Sequence, residues 1–194
     1  DGLLRKDRHL PPNVLLAGPP GTGKTQLAQM TARDARVAAY TMNSPKGPLV
    51  GMTERLARQQ QVLLRQWTPN VAVCDEITEA FPLERSDFDG DSGASRAVMA
   101  QMLTSLADEG RRGKALLIAT TNCPWRIGTA MRSRFTVIPV LHPLVTDFPA
   151  IVTALLRRID PASSITADDD ALLAAATLFF DKGANPRHVR SSLN

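Results

Sequence analysis

A glycine-rich segment at residues 18–25, Gly-Pro-Pro-Gly-Thr-Gly-Lys-Thr, has the residue types and the spacing that suit phosphate binding. In the pattern G-x-x-x-x-G-K-T, glycines let backbone N–H groups surround an anion, the lysine reaches the outer phosphates and the threonine hydroxyl can ligate Mg²⁺. A tight structural turn is the alternative interpretation. The apolar run 14–17 and the helix-forming sequence from Lys24 favour a nucleoside triphosphate site, because the positive end of that helix adds to the anion site.

Two acidic residues, Asp75 and Glu76, follow the apolar run 71–74. A strand buried in a parallel sheet is typically apolar throughout, and ligands bind at the carboxyl ends of such strands. We therefore expect the acid pair to face the phosphate-binding segment. By analogy with phosphate-loop enzymes, Asp75 holds Mg²⁺ with Thr25, directly or through water, and Glu76 polarises the attacking water. The alternative is a solvated strand end.

Asn122, Arg132 and Arg134 are further candidates that the residues alone support less strongly. Asn122 follows the apolar segment 115–120, so its amide could lie near the same water, although asparagine is equally common as a turn residue. The two arginines precede the last predicted strand, where arginines usually face solvent. For each of the three residues, a role in the site and an ordinary structural role at the surface or in a turn both stay open.

Five apolar segments predict the strands that must position these side chains. The strands are expected over 13–17, 37–42, 71–76, 115–120 and 135–140. The helices between them are expected over about 25–36, 53–67 and 94–107. The alternation of strands and helices implies parallel pairing with right-handed crossovers, and Pro139 suits a strand at the edge of the sheet.

From His142 onward the pattern is helical only, with helices expected over about 147–159 and 168–180 and a third from Pro186. This change predicts two domains. An α/β nucleotide-binding domain is expected over 1–141, and a small helical lid subdomain, truncated at its end, over 142–194.

Length, charge and cysteine content restrict the class of protein. The chain has 194 residues, enough for one α/β domain and a small appended unit. Its net charge of +4 permits nucleic-acid contact but does not argue for it, since no basic block is present. Cys74 and Cys123 form neither a disulfide framework nor a zinc site, so a cytoplasmic, reducing setting is expected. No stretch reaches the length of a membrane span, and the chain, which opens without Met, is expected to be part of a longer protein.

Taken in order, these motifs resemble those of the AAA+ ATPases, and most closely of their AAA branch. The segments that carry the resemblance are 12–25 (Walker A), 74–77 (Walker B), 118–122 (sensor 1), 130–135 (arginine finger) and 183–187 (sensor 2). The family implies a P-loop NTPase fold, a three-layer α/β sandwich with a five-stranded parallel sheet of order 5-1-4-3-2 and a C-terminal helical lid. It also implies ATP and Mg²⁺ as cofactors.

The resemblance further implies roles for individual residues. It assigns nucleotide contacts to Gly18, Pro19, Pro20, Gly21, Thr22, Gly23, Lys24, Thr25, Gln26 and Asp75. In the lid, Gly183 and Ala184 would lie near the adenine, and Arg187 would act on the nucleotide of its own subunit. Arg134, with Arg132, would reach the γ-phosphate of a neighbouring subunit in a homo-oligomeric, usually hexameric, ring. Glu76 and Asn122 would act on the water.

Two departures from the AAA pattern bear on the substrate. Members that thread polypeptide carry an aromatic residue before the Val-Gly of the pore loop, and here Leu49 stands before Val50 and Gly51. Arg187 is absent from many AAA members but is kept by clamp loaders and helicase-like AAA+ proteins. We therefore weigh three functions. The first is an ATP-driven ring that remodels a protein target, with a protein substrate or an adaptor as its partner. The second is a nucleic-acid motor or loader, and the third is a nucleotide-dependent switch. The AAA-like pore loop favours the first, and the presence of Glu76 argues against the third.

Overall fold

The structure, a computed structural model, describes residues 2–42, 52–80, 94–166 and 168–183. Its strands are β1 (Asn13–Ala17), β2 (Ala38–Thr41), β3 (Asn70–Cys74), β4 (Ala115–Thr121) and β5 (Thr136–Pro139). Its helices are α1 (Lys24–Asp34), α2 (Met52–Gln66), α3 (Ile77–Ala80), α4 (Ala94–Leu106), α5 (Thr129–Arg132), α6 (Phe148–Ile159) and α7 (Asp170–Asp181). Short 3₁₀ turns occur at Glu109–Arg111, Pro124–Arg126 and Val145–Asp147.

The five strands form one sheet in the order β2-β3-β4-β1-β5. Each of its four strand pairs is parallel, and the register sets Leu15 opposite both Ala119 of β4 and Val137 of β5. Read from the other edge, this order is 5-1-4-3-2. The predicted fold class, a P-loop NTPase with a five-stranded parallel sheet, is therefore confirmed.

Burial of the strands follows their place in the sheet. Every residue of β3 and β4 is buried, whereas all four residues of β5 are exposed. A strand covered on both faces has no solvent side, which explains why 71–74 and 115–119 read as uninterrupted apolar runs. Pro139 lies in the edge strand β5, as expected, because proline has no N–H to donate to a further strand.

The main hydrophobic core lies on the sheet and is closed by side chains from the helices. The sheet contributes Leu15 of β1, Ala72 of β3 and Leu117 of β4 to this core. The helices contribute Leu64 of α2 and Met102 of α4. Each of these five side chains is less than 3% exposed. This core fixes β1, β3 and β4 against one another, and so fixes the residues that follow the three strands.

The chain forms two compact units. The first comprises the described residues of 1–18 and 24–139, and the second those of 19–23 and 140–194. In the second unit, Phe148 and Val152 of α6 are buried against half-buried leucines of α6 and α7. Helices predicted over 147–159 and 168–180 are present as α6 and α7, and the predicted helix from Pro186 lies outside the described residues. Among the described residues, no helix has the length and apolar character needed to cross a bilayer.

Candidate nucleotide-binding site

Polar side chains meet at the carboxyl edge of the sheet, where β1, β3 and β4 end side by side. Ala17 pairs with Thr121, and Cys74 pairs with Ala119. The residues that follow, Gly18 and Asn122 among them, therefore lie next to one another, and the amide of Gly18 donates to the carbonyl of Thr121 at 3.2 Å. This edge is where parallel sheets bind ligands.

Lys24 and Glu76 are joined through the side chain of Asn122. The Lys24 ammonium, in a side chain that is 5% exposed, donates to the Gly18 carbonyl at 2.9 Å and to Asn122 Oδ1 at 2.6 Å. Asn122 Nδ2 donates to Glu76 Oε1. The amide thus turns its oxygen to the cation and its nitrogen to the carboxylate, an orientation that the two charges impose.

Thr25 and Thr120 both donate to the same oxygen of Asp75. The distances to Asp75 Oδ1 are 2.7 Å from Thr25 Oγ1 and 2.6 Å from Thr120 Oγ1. A hydroxyl oxygen and a carboxylate oxygen are both ligands that Mg²⁺ accepts. Within the described part of the chain, no three His, Cys, Asp or Glu side chains group as an all-protein metal site does. The pair fits Mg²⁺ all the same, since that ion usually takes one or two protein ligands and completes its shell with water and phosphate oxygens.

The backbone of Glu76 has an unusual conformation. Its φ is +47°, in the left-handed region that residues with a side chain rarely adopt. Its amide donates to Thr120 Oγ1 at 3.0 Å, and its carbonyl accepts from the amide of Glu79 at 2.8 Å as α3 begins. These bonds hold a sharp bend directly after β3, which places the Glu76 side chain beside Asn122.

Cys74, the last residue of β3, is not a reactive group. Its side chain is fully buried, and burial raises the pKa of the thiol to about 12, with the neighbouring Asp75 carboxylate adding to the rise. The thiol therefore stays protonated at neutral pH, and Cys74 acts as a small residue of the hydrophobic core.

The loop 19–23 belongs to the second compact unit. Thr22 Oγ1 donates to the Pro19 carbonyl at 3.0 Å. Gly21 and Gly23 have φ values of +80° and +88°, which glycine adopts without strain. Open space surrounds the position of a Cβ at Gly23, so its requirement for glycine is conformational and not steric.

Arg132 and Arg134 lie on the segment that leads into β5. Arg132, at the end of α5, is exposed, and the half-buried Arg134 donates from Nη1 to the carbonyl of Ala130 in its own turn. The carbonyl of Arg134 accepts from Asn13 Nδ2 at 3.0 Å, at the start of β1. In a parallel sheet this is the amino edge, whereas the acid pair is at the carboxyl edge.

The other predicted site residues are placed as follows. Gln26 is exposed in the first turn of α1, and Pro20 is exposed in the loop. Gly183, just after α7, is exposed with a φ of +65°. Leu49, Val50, Gly51, Ala184 and Arg187 lie outside the described residues.

Thr120 is the one residue of this network that the sequence did not single out. It stands in an apolar strand, where a β-branched residue reads as an ordinary strand former. Its position two residues before Asn122, on a strand expected next to the acid pair, is the signal that could have identified it.

A parallel sheet of this order, with a glycine-rich loop after β1 and an acid pair after β3, defines a P-loop NTPase. The model of the "ATPase family associated with various cellular activities (AAA)" matches residues 14–142. The chain therefore belongs to the AAA family of ATPases, the family that the motifs resemble. Members of this family typically oligomerise and act on proteins.

Curated relatives agree with this assignment. The chain is 30% identical over 169 residues to the katanin p60 ATPase-containing subunit A1 of Arabidopsis thaliana, an alignment that covers 81% of this chain and 32% of that protein. It is 34% identical over 124 residues to the ATPase family gene 2 protein of Saccharomyces cerevisiae, covering 63% of this chain and 16% of the relative. The chain thus spans a third or less of either protein's length.

Solved structures are similar to almost the whole chain. The crystal structure of the FIGL-1 AAA domain in complex with ADP has a TM-score of 0.72 and 25% sequence identity, and the match covers 97% of this chain and 63% of that one. Another crystal structure of the FIGL-1 AAA domain gives a TM-score of 0.73 over the same shares.

Proposed function

We propose that this chain is the motor of a homo-oligomeric, hexameric ring, which uses Mg²⁺-dependent ATP hydrolysis to remodel, unfold or disassemble a protein substrate. The observation that carries the proposal is the connected set of bonds from Lys24 through Asn122 to Glu76. These bonds connect the Lys24 ammonium, which can bind phosphate, to the Glu76 carboxylate, which can accept a proton from water. Hydrolysis of a β,γ-phosphate bond requires both groups.

Phosphate binding is assigned to the segment from Gly18 to Gln26. Backbone N–H groups of this segment and the positive end of α1 would bind the β- and γ-phosphates, to which Lys24 would contribute its ammonium. Lys24 is already held from two sides by oxygen acceptors, so its position is set without a phosphate. Such preorganisation lowers the entropic cost of binding.

The acid pair divides the remaining chemistry. Thr25 and Asp75 would hold Mg²⁺ through the two oxygens that already lie 2.7 Å apart. When bound, this ion neutralises charge on the phosphate oxygens. Glu76 accepts a proton from the attacking water, and Asn122 keeps the Glu76 carboxylate turned to the site.

Arg134, with Arg132, is proposed to complete the site of a neighbouring subunit. The start of β1, to which the Arg134 carbonyl is bonded, lies four residues, roughly 13 Å, from the end of β1 at the carboxyl edge of the sheet. A side chain anchored there is badly placed to reach the γ-phosphate of its own subunit. A finger supplied by a neighbour is worth about 10³ to 10⁵ in rate in other phosphoryl-transfer enzymes.

Nucleotide sensing and substrate contact are assigned to residues near the lid and in the pore loop. Gly183 and Ala184 would lie by the adenine, and Arg187 would couple the lid, 142–194, to the state of the nucleotide. Leu49, Val50 and Gly51 would contact the protein substrate. Since Leu49 replaces an aromatic residue, we propose that this contact is apolar and aliphatic. The proposed compartment is the cytoplasm, where both thiols stay reduced.

Replacing Glu76 by Gln tests the proposal. The variant keeps the size of the side chain but loses the proton acceptor, so it should bind ATP with Mg²⁺ as the wild type does and lose at least about 10²-fold in turnover. Glu109→Gln, at an exposed glutamate that pairs with Arg112, is the matched control and should hydrolyse ATP normally. Normal turnover by Glu76→Gln would refute the assigned chemistry. Stimulation of wild-type turnover by DNA, and not by unfolded protein, would refute the proposed substrate class.

A further inference from the structure

The hydroxyl of Thr120 makes two bonds, and both go to the acid pair. Thr120 is the next-to-last residue of β4 and is fully buried. Its Oγ1 donates to Asp75 Oδ1 at 2.6 Å and accepts from the backbone amide of Glu76 at 3.0 Å. A buried threonine that served only packing would not need its hydroxyl to meet two residues of the site.

The direction of both bonds is fixed by chemistry. A backbone N–H can only donate, so the Thr120 oxygen accepts from Glu76. An ionised carboxylate can only accept, so the single hydroxyl hydrogen points to Asp75. The branched side chain also has few χ1 rotamers to choose from. The Thr120 hydroxyl therefore links the Asp75 carboxylate to the backbone amide of Glu76 in a fixed geometry.

The Thr120 hydroxyl supports an unfavourable backbone conformation at Glu76. A left-handed conformation such as that of Glu76, with φ at +47°, is disfavoured for a residue that has a Cβ. The Thr120 bond holds the amide of this bend from inside the sheet, while Asn122 holds the Glu76 carboxylate from the other end. A second hydroxyl contact, between Thr78 and Thr121 at 3.3 Å, ties the following residues of the bend to β4.

We propose that Thr120 is a positioning residue for ATP hydrolysis, which sets the Asp75 carboxylate and the Glu76 backbone in their working geometry without contacting the nucleotide. This inference rests on the proposed function, because it takes Asp75 and Glu76 to be the metal-holding and water-activating acids. It adds a residue that lies outside the glycine-rich loop, the acid pair and Asn122.

The test compares side chains that differ by the hydroxyl. Thr120→Val keeps shape and removes both bonds, and the pair Thr120→Ser and Thr120→Ala differs only in the oxygen. Loss of a hydrogen bond to a charged group should lower kcat by roughly 10- to 100-fold in the Val and Ala variants. The Ser variant should keep most of the wild-type kcat. Nucleotide affinity without metal, read with a fluorescent ATP analogue, should stay unchanged in all three, whereas the Mg²⁺ concentration giving half-maximal nucleotide affinity should rise in Val and Ala alone.

Thr153→Val is the matched control for the chemical change. Thr153 is buried in α6, and its hydroxyl has no hydrogen-bond partner within the described residues. This variant should leave kcat and the Mg²⁺ dependence unchanged. If Thr120→Val does not fold, the Ser and Ala pair decides the question, since both residues are small enough to fit.

Two results would overturn the inference. One is a wild-type kcat in Thr120→Val or Thr120→Ala. The other is an equal loss of kcat in Ser and Ala, which would assign the effect to the lost methyl group and to packing. Glu76→Gln, measured in parallel, separates this failure from that of the proposed function. An inactive Glu76→Gln with a normal Thr120→Val refutes only the positioning role, whereas a normal Glu76→Gln refutes the function on which it rests.

Discussion

Replacement of Asn13 by Ala should destabilise the first unit more than its small change in size suggests. Asn13 is 1% exposed at the start of β1. Its Nδ2 donates to the carbonyls of Leu106 and Arg134 at 2.9 and 3.0 Å, and its Oδ1 accepts from Arg111 Nη2 at 2.6 Å. Arg111 is itself 2% exposed, and its Nε and Nη1 have no hydrogen-bond partner among the described residues.

The expected loss in the free energy of unfolding follows from the hydrogen bonds that Asn13→Ala removes and from the buried groups that it leaves unpaired. Two neutral bonds contribute about 1 kcal/mol each and the charge-assisted one about 2 kcal/mol, which gives a loss of about 4 kcal/mol. Arg111 keeps its buried charge with no described acceptor left, and removal of one partner from a buried charge costs a similar 3–5 kcal/mol or so in other proteins. Burial already lowers the pKa of the Arg111 guanidinium, with the Asp108 carboxylate acting in the opposite direction. A loss of about 4 kcal/mol should lower the melting temperature by roughly 8–16 °C.

Urea unfolding followed by tryptophan fluorescence measures this loss, because the two tryptophans, Trp67 and Trp125, both belong to the first unit. The control is Arg112→Met, which removes an exposed arginine paired with Glu109 and should change stability by less than about 0.5 kcal/mol.

A double variant sharpens the test of the Asn13 network. Asn13→Val with Arg111→Met removes the charge and its acceptor together, so it should cost about 1–3 kcal/mol less than the sum of the single variants. A loss below about 1 kcal/mol for Asn13→Ala, or strict additivity in the double variant, would refute the reasoning.

Four further predictions concern the proposed site and the cysteines. Lys24→Ala should weaken ATP binding by about 10²-fold or more, because it removes a charge-assisted contact to phosphate, and an unchanged affinity in a titration would contradict the phosphate assignment. Arg134→Ala subunits, inactive alone, should regain turnover when co-assembled with Glu76→Gln subunits, since each supplies what the other lacks. A thiol reagent at pH 7 should modify Cys123 but not Cys74 in the native protein, and both after unfolding. Because burial raises the pKa of Cys74 to about 12, the unfolded chain loses this proton first as pH rises above about 9, and the free energy of unfolding should fall from there.

Each of these experiments has an internal check. Lys114→Ala changes an exposed lysine and should bind ATP normally. Failure of the mixed subunits to regain turnover, with co-assembly verified, would contradict a finger that acts across subunits. Rapid modification of both thiols in the native protein would contradict the burial of β3.

The strands were predictable because a parallel sheet makes strong demands on sequence. β1 has the predicted bounds, and the other four strands begin and end within two residues of them. The apolar runs of β3 and β4 exist because both faces of those strands are covered. The order of the strands in the sheet could not be predicted in this way. Residue patterns indicate parallel pairing but not which strands lie side by side, so the predicted order came from the family resemblance. The sequence does not predict the helix α5, because four residues are too few for a periodic pattern.

Two parts of the site region could not be predicted from residue types. Arg111 lies between Gly110 and Gly113 in a segment that reads as an exposed turn, yet its side chain is buried on Asn13. The left-handed backbone of Glu76 is also hidden in the sequence, because glutamate gives no signal for it. Both features arise from contacts between residues about 45 to 100 positions apart, such as the 44-residue separation of Glu76 and Thr120. Local patterns carry no information on such pairs.

The two edges of the sheet connect the site to the proposed ring. At the carboxyl edge, Lys24, Asn122 and Glu76 form one network that keeps acid, amide and cation in place. At the amino edge, the side-chain amide of Asn13 donates to the carbonyl of Arg134. This bond holds the residues just before β5 against the start of β1. β1 is a single strand between these edges. Cys74, just before the acids, is level with Leu15 through Ala119, so the acids lie three to four residues, roughly 10–13 Å, along the sheet from Asn13. An arginine held that far from its own acids serves catalysis only if another copy presents its carboxyl edge to it, which makes assembly a condition of turnover in the proposed mechanism.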